Sequence, residues 1–271
     1  NGDWPGLPYL QKQSEQAFLE APTDVVLDFF QRHKPVTPVG GFAYAAALLA
    51  VGDTKQAHRL TQDFWVAHPM SYKVQQAYLE KFSDQLRTLH EARLAEMLWQ
   101  DAHASAEAIL PYVSGKQAAM AKARIALRKG EQGVDPLIAA VADELQNNAL
   151  LAHARFTWRL RAGRQDAAMA LLVKRSQSAA LLGRPEVWSK GRKLLVREMI
   201  AEQRFDVSID TATVDLQRGL LLWLAAIGDL PCPRISHVIV AQSVNCTSCG
   251  QCMSLCPSLL FRRVLALLNA A

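Results

Sequence analysis

Residues 44–64, YAAALLAVGDTKQAHRLTQDF, decide the fold. The stretch begins as an alanine- and leucine-rich segment, composed of strong helix formers, that runs into Gly52. After a short polar break, Ala57, Leu60 and Phe64 follow at spacings of three and four, which puts them on one face of a second helix. The reading is helix, glycine-containing turn, helix. Comparable breaks recur in LWQDAHASAEAIL (98–110), ALRKGEQGVDPLIAAV (126–141) and RLRAGRQDAAMALLV (159–173). Hairpins that cannot bury their apolar faces alone bury them by stacking. The sequence therefore predicts an all-α fold over residues 1–204, a superhelical array of helical hairpins of the TPR-like solenoid kind, followed by a divergent tail over 205–271.

Outward from this hairpin, TDVVLDFFQRH (23–33) predicts a helix capped by Thr23, with Phe29 and Phe30 in the core, and KPVTPVGG (34–41) predicts a loop. Val74, Tyr78 and Phe82 repeat every fourth residue. Leu89, Leu94 and Leu98 form a similar face, which leaves Glu91, Arg93, Glu96 and Gln100 for the solvated side. Pro111 ends or kinks the helix that precedes it. Gly130 and Gly163 are placed to terminate helices, and Asp135 followed by Pro136 is placed to start one. Near the end of the array, Pro185 and Glu186 open a helix whose packing face holds Trp188, Leu195 and Met199.

Composition bounds the function. With 50% hydrophobic and 20% charged residues the chain has the makeup of a folded globular protein. The net charge of +5 is spread through alternating basic and acidic positions with no long basic block, so nucleic acid is not an expected partner. The densest apolar run, GLLLWLAAIG (219–228), is shorter than the roughly 18–20 residues of a membrane span, and no transmembrane segment is expected. The seven histidines are dispersed and none forms an H-E-x-x-H pair. There is no G-x-S-x-G elbow, no phosphate-binding loop and no dinucleotide fingerprint.

From residue 205 the alanine-rich pattern gives way to β-branched residues in DVSIDTATVDLQRG (206–219). A strand-like HVIVAQSV (237–244) and an amphipathic SLLFRRVLALLNAA (258–271) follow. All five cysteines lie in this tail. Cys246, Cys249, Cys252 and Cys256 with Pro257 spell C-x2-C-x2-C-x3-C-P, the spacing of a ferredoxin-type 4Fe-4S run, and Cys232 is available as an outlying ligand. The same thiolates could hold zinc, or stand as reactive thiols. A tail added by a change of reading frame, with accidental cysteines and no cofactor, accounts for the composition break at 205.

Taken in order, DWPGLPYL (3–10), the block at 26–60, KFSDQL (81–86), HEARLAEMLW (90–99), AKARIALR (121–128), ARFTWRLRAGRQDAAMALLVKR (154–175) and LGRPEVWSKGRKLLVREMI (182–200) resemble the N-terminal α-superhelix of bacterial soluble lytic murein transglycosylases. The resemblance covers about three quarters of the chain. It implies a periplasmic protein associated with peptidoglycan, whose superhelix is a scaffold for a lysozyme-like catalytic domain. In that family a glutamate within a Glu-Ser motif serves as acid and then base. This sequence has no Glu-Ser pair and no Gly-Leu-Met-Gln type motif, so no catalytic residue is assigned and the chain alone is expected to be inactive.

One further stretch draws attention for contact with an anionic glycan polymer. Arg155, Trp158, Arg159, Arg161 and Arg164, within RFTWRLRAGR, mix guanidinium groups with an aromatic ring. Arg184, Lys190, Arg192, Lys193 and Arg197 could extend a positive edge compatible with the carboxylates of peptidoglycan peptides.

Overall fold

Four helix ends close in the same way. Leu49, Leu98, Leu127 and Leu160 each stand three residues before a backbone position of positive φ, namely Gly52 (85°), Asp101 (55°), Gly130 (74°) and Gly163 (67°). The N–H of that residue donates to the leucine carbonyl, at 3.1 Å for Gly52, 3.1 Å for Asp101, 3.3 Å for Gly130 and 3.2 Å for Gly163. The next N–H reaches one carbonyl further back, as in Asp53 to Leu48 at 2.9 Å and Ala102 to Met97 at 2.9 Å. Glu131 to Ala126 at 3.0 Å and Arg164 to Arg159 at 2.8 Å complete the set. This paired closure satisfies carbonyls that a helix end would otherwise leave open, and it needs one left-handed residue. At three of the turns the fifth residue onward is a fully buried alanine, Ala57, Ala106 or Ala168, small enough to let the second helix approach.

The computed structural model describes residues 6–201. These carry α1 (Leu7–Ser14), α2 (Thr23–Arg32), α3 (Pro38–Ala50), α4 (Thr54–Ala67), α5 (Tyr72–Leu86), α6 (His90–Trp99) and α7 (His103–Ile109). They continue with α8 (Gly115–Lys129), α9 (Asp135–Ala139), α10 (Asp143–Gln146), α11 (Ala149–Arg161), α12 (Gln165–Arg175), α13 (Ala179–Leu182) and α14 (Ser189–Ala201). Short 3-10 turns at Glu15–Leu19, Leu110–Tyr112 and Pro185–Trp188 join them. The expected boundary at 204, the tail with its strand and terminal helix, and the five cysteines lie outside the described residues. The described residues separate into two compact units, one up to residue 154 and one from residue 155 on.

In the first unit each helix packs on those next or next but one along the chain: α3 on α2, α4 and α5, α4 on α5 and α6, α6 on α7 and α8, and α8 on α9 and α10. Val26, Phe30, Tyr44, Ala47, Leu48 and Ala57 make one core cluster, with Phe18, Phe29 and Leu60 against it. Trp65, Tyr78, Phe82, Leu86, Met97 and Leu98 are wholly buried further along. In the second unit Phe156, Leu172, Leu182, Trp188 and Leu195 are buried, with the Phe156 and Trp188 rings 5.0 Å apart. The described chain is thus an all-α, multi-helix protein whose sequential helix-on-helix packing is consistent with a helical-repeat architecture. Among the described residues no helix is long and apolar enough to cross a membrane.

Three local expectations are corrected. Thr23 is the first residue of α2 and not its cap, a position taken by Pro22. The segment 34–41 is a loop only to Thr37, whose Oγ1 accepts the Gly40 N–H at 3.0 Å while Pro38 occupies the first turn of α3. Gly40 and Gly41 are helical because α3 passes close to its neighbours: a Cβ on Gly41 would lie 2.6 Å from Phe64 Cγ, and one on Gly40 would collide with the Glu15 carboxylate. Glu15 is fully buried and accepts the backbone N–H groups of Val36 at 2.8 Å and Thr37 at 2.7 Å, which fixes the entry to α3. Finally, Arg93 is not solvated but has no exposed surface at all.

Candidate functional site

The basic residues of α11 separate by face. Arg155 and Arg159 are one turn apart and therefore neighbours on the helix, and both are half-buried. Arg159 Nη1 donates to the Ala167 carbonyl at 2.9 Å, which ties the last turn of α11 to the first turn of α12. Arg161 and Arg164 are exposed, and the Arg164 guanidinium carbon lies 5.1 Å from the centroid of the half-buried Trp158 ring. Of the five predicted contact residues, Arg159 thus bonds to α12 and Arg164 lies against Trp158, while Arg155 is half-buried and Arg161 exposed.

Arg175, which the sequence reading left out, brings a further charge to bear on Arg155. It ends α12 and is 5% exposed. Burial lowers the pKa of Arg155 below its ordinary value, and the charges of Arg159 and Arg175 lower it further. Burial acts the same way on Arg175. The only signal for Arg175 in the sequence was its place in the last turn of a helix, where cations are favoured anyway. Of the expected positive edge, Lys190 and Arg197 are exposed, Arg184 and Lys193 are half-buried, and Arg192 is buried.

Two more arginine arrangements lie in the first unit. Asp101, in the left-handed turn between α6 and α7, accepts from Arg124 Nη2 at 3.0 Å and from Arg128 Nε at 2.9 Å, with Arg128 Nη2 on its second oxygen. Burial raises the Asp101 pKa, but the hydrogen bond from Arg128 and the charges of Arg124 and Arg128 outweigh it and hold the carboxyl below its ordinary value. Arg124 is lowered to about 10 by burial, against the pull of Asp101. It remains a cation at neutral pH.

Arg93 of α6 reaches the end of α4. Its Nη1 donates to the Trp65 carbonyl and to the His68 carbonyl at 3.1 Å, and Nη2 donates to Gln75 Oε1 at 3.1 Å. Burial brings its pKa down to about 10. Tyr78, shifted upward by burial, stays a neutral phenol and donates to the Pro38 carbonyl at 2.9 Å. These groups hold helix ends together and leave no side chain presented to a ligand, so their role is architectural.

Among the described residues no three His, Cys, Asp or Glu side chains are grouped to hold a metal ion. The predicted metal ligands Cys232, Cys246, Cys249, Cys252 and Cys256 lie outside those residues. What the described part offers chemically is fixed guanidinium charge aimed at oxygen acceptors, the chemistry of anion recognition. No family model, curated protein or solved structure matches this chain.

Proposed function

We propose that this chain is the TPR-like superhelical scaffold part of a lytic murein transglycosylase-like protein associated with peptidoglycan in the periplasm, with no Glu-Ser pair of its own to catalyse the reaction. The observation that carries this reading is the ordered run of sequence blocks from 3–10 to 182–200 that resembles that family. Sequential packing of helical hairpins and the basic, Trp158-bearing surface of α11 are compatible with a scaffold that meets an acidic glycopeptide polymer. The test is co-sedimentation with purified sacculi, together with chromatography of the soluble products. The expected result is saturable binding with no release of 1,6-anhydromuramoyl fragments. Absence of binding removes the reading.

A second reading is favoured by one feature, the C-x2-C-x2-C-x3-C-P spacing: a helical-repeat adaptor with an iron–sulfur electron-transfer site in its tail. Anaerobic purification separates the two. Broad absorbance near ~400 nm with about four irons per chain, the signature of a cubane cluster, selects the adaptor. A colourless, metal-free protein that binds sacculi selects the scaffold.

A further inference from the structure

We infer that the start of α6 is an acid-released latch. His90, held between the Trp65 ring of α4 and the Tyr112 ring of the turn after α7, swings out to water when it gains a proton and uncovers Trp65, while the helices around it stay folded. The inference is independent of the peptidoglycan reading.

His90 is the first residue of α6, whose N-terminus has no side-chain cap. Its ring lies 5.7 Å from the Trp65 ring and 5.5 Å from the Tyr112 ring, centroid to centroid. The residue is half-buried, and its Nδ1 is buried with no hydrogen-bond partner. A neutral imidazole carries hydrogen on one nitrogen only, so Nδ1 stays bare at no cost in lost donors, whereas imidazolium donates from both. The second proton therefore arrives at Nδ1, where nothing accepts it.

The charges around the ring add to this. On α6 itself Arg93 stands one turn along, its guanidinium carbon 4.4 Å from the centroid of the same indole. Glu91 is engaged with the start of α8, accepting from Ser114 Oγ at 3.0 Å, and Lys116 of α8 pairs with Glu144. At the end of α4, the His68 ring stacks on Phe64 at 4.7 Å and is itself held neutral by burial. From α5 comes Tyr78, a neutral phenol donating to the Pro38 carbonyl. Of these groups Arg93 is the one whose charge acts on His90, and it repels; burial, the larger effect, has the same sign, so the pKa of His90 lies below 6.5. The positive end of the α6 dipole disfavours a cation as well. The packed ring is thus favoured in full above 6.5 and released as pH falls through its lower folded value. The way out is open on one side, since Tyr112 is 43% exposed.

The test uses the full chain carrying fluorotryptophan, with the Trp65 signal assigned through Trp65→Phe. Fluorine and histidine imidazole spectra and far-ultraviolet circular dichroism are followed from about pH 7.5 to about 5, across the ordinary histidine range. His90 is expected to titrate below 6.5, the Trp65 signal to shift with the same midpoint, and the circular dichroism to stay constant through it. H90Q, uncharged throughout, abolishes the Trp65 shift, whereas H68Q and H103Q keep it. Y112A removes one covering ring and raises the His90 midpoint toward 6.5.

A His90 midpoint at or above 6.5 overturns the latch. So does a Trp65 signal that stands still while His90 titrates, or one that shifts equally in H90Q. Loss of the circular dichroism signal at the same midpoint makes the event global unfolding and overturns it too. Should H90Q fail to fold, Y112A at its exposed position carries the comparison, and an unchanged His90 midpoint there overturns the proposal.

Discussion

The guanidinium carbon of Arg93 stands 4.4 Å from the centroid of the Trp65 ring, and the same guanidinium donates to the Trp65 carbonyl. One side chain of α6 therefore closes the last turn of α4 and covers its largest aromatic residue. Carbonyls at a helix end are normally met by water or a local turn. Here they are met by a buried cation from a helix two places further along the chain, which ties hairpin to hairpin.

Replacing Arg93 by Met should cost roughly 3 kcal/mol, since the carbonyls of Trp65 and His68 and the Gln75 amide oxygen lose their donors in a dry site. Lysine keeps the charge but not the fork, and should recover part of the loss. Urea denaturation at neutral pH measures both. Equal stability of R93M and wild type would show that the clasp is not needed.

Helical glycines should separate by what a methyl group would meet. Gly40→Ala and Gly41→Ala are expected to destabilise by about 1–3 kcal/mol through overpacking against Glu15 and Phe64, although alanine is the better helix former. Gly115→Ala, where a Cβ meets nothing within 4 Å, should be neutral or stabilising by about 0.4–1 kcal/mol. Thermal melts of the three variants decide the matter by sign.

Asp101 combines a strained backbone with two ion pairs, and variants can part them. Both D101G and D101A lose the contacts to Arg124 and Arg128. Only D101A keeps a Cβ at φ 55°, so it should be the less stable of the two by roughly 1–2 kcal/mol. A smaller gap would mean that the turn relaxes.

Acid should weaken the first unit in two stages. Burial lowers the pKa values of His68, His90 and His103 from 6.5, with the Arg93 charge adding to the effect at His90. The fold thus favours neutral rings, so their contribution is complete above 6.5 and declines as pH falls through 6.5 toward the folded values. Asp101, held below its ordinary 3.8, contributes above that value and is lost as pH falls through its lower folded value. Melting temperature measured from pH 8 to 3 should fall first near 6, and His90→Gln should flatten that first decline.

The hairpin at 44–64 was legible because two independent signals agreed there, a positive-φ residue at a helix end and apolar spacing of three and four. Where only one signal was weighed, the reading slipped. Gly40 and Gly41 looked like loop because glycine usually marks irregular backbone, and the close passage of Glu15 and Phe64 that requires them is set by residues distant in sequence. Arg93 was counted polar, hence solvated, yet it sits one helical turn from Met97 and beside Leu94 on the buried face, so periodicity alone pointed inward. In the candidate site Arg155 and Arg159 could be read as a pair from their spacing. Arg175 could not, because its charge reaches Arg155 only through the folding of α12, twenty residues further along the chain. Glu15 shows the same limit: nothing local distinguishes a carboxylate that will accept N–H groups more than twenty residues away.

The turns at Gly52, Gly130 and Gly163 have open space around them, with nothing within 4 Å of where a side chain would begin. Each helix end is completed by its own backbone and asks nothing of the interior. Such turns act as seams. A gene that gains, loses or exchanges whole hairpins at these points re-uses the same short joint each time, which is how a chain of this kind can change length without its core being cut anew.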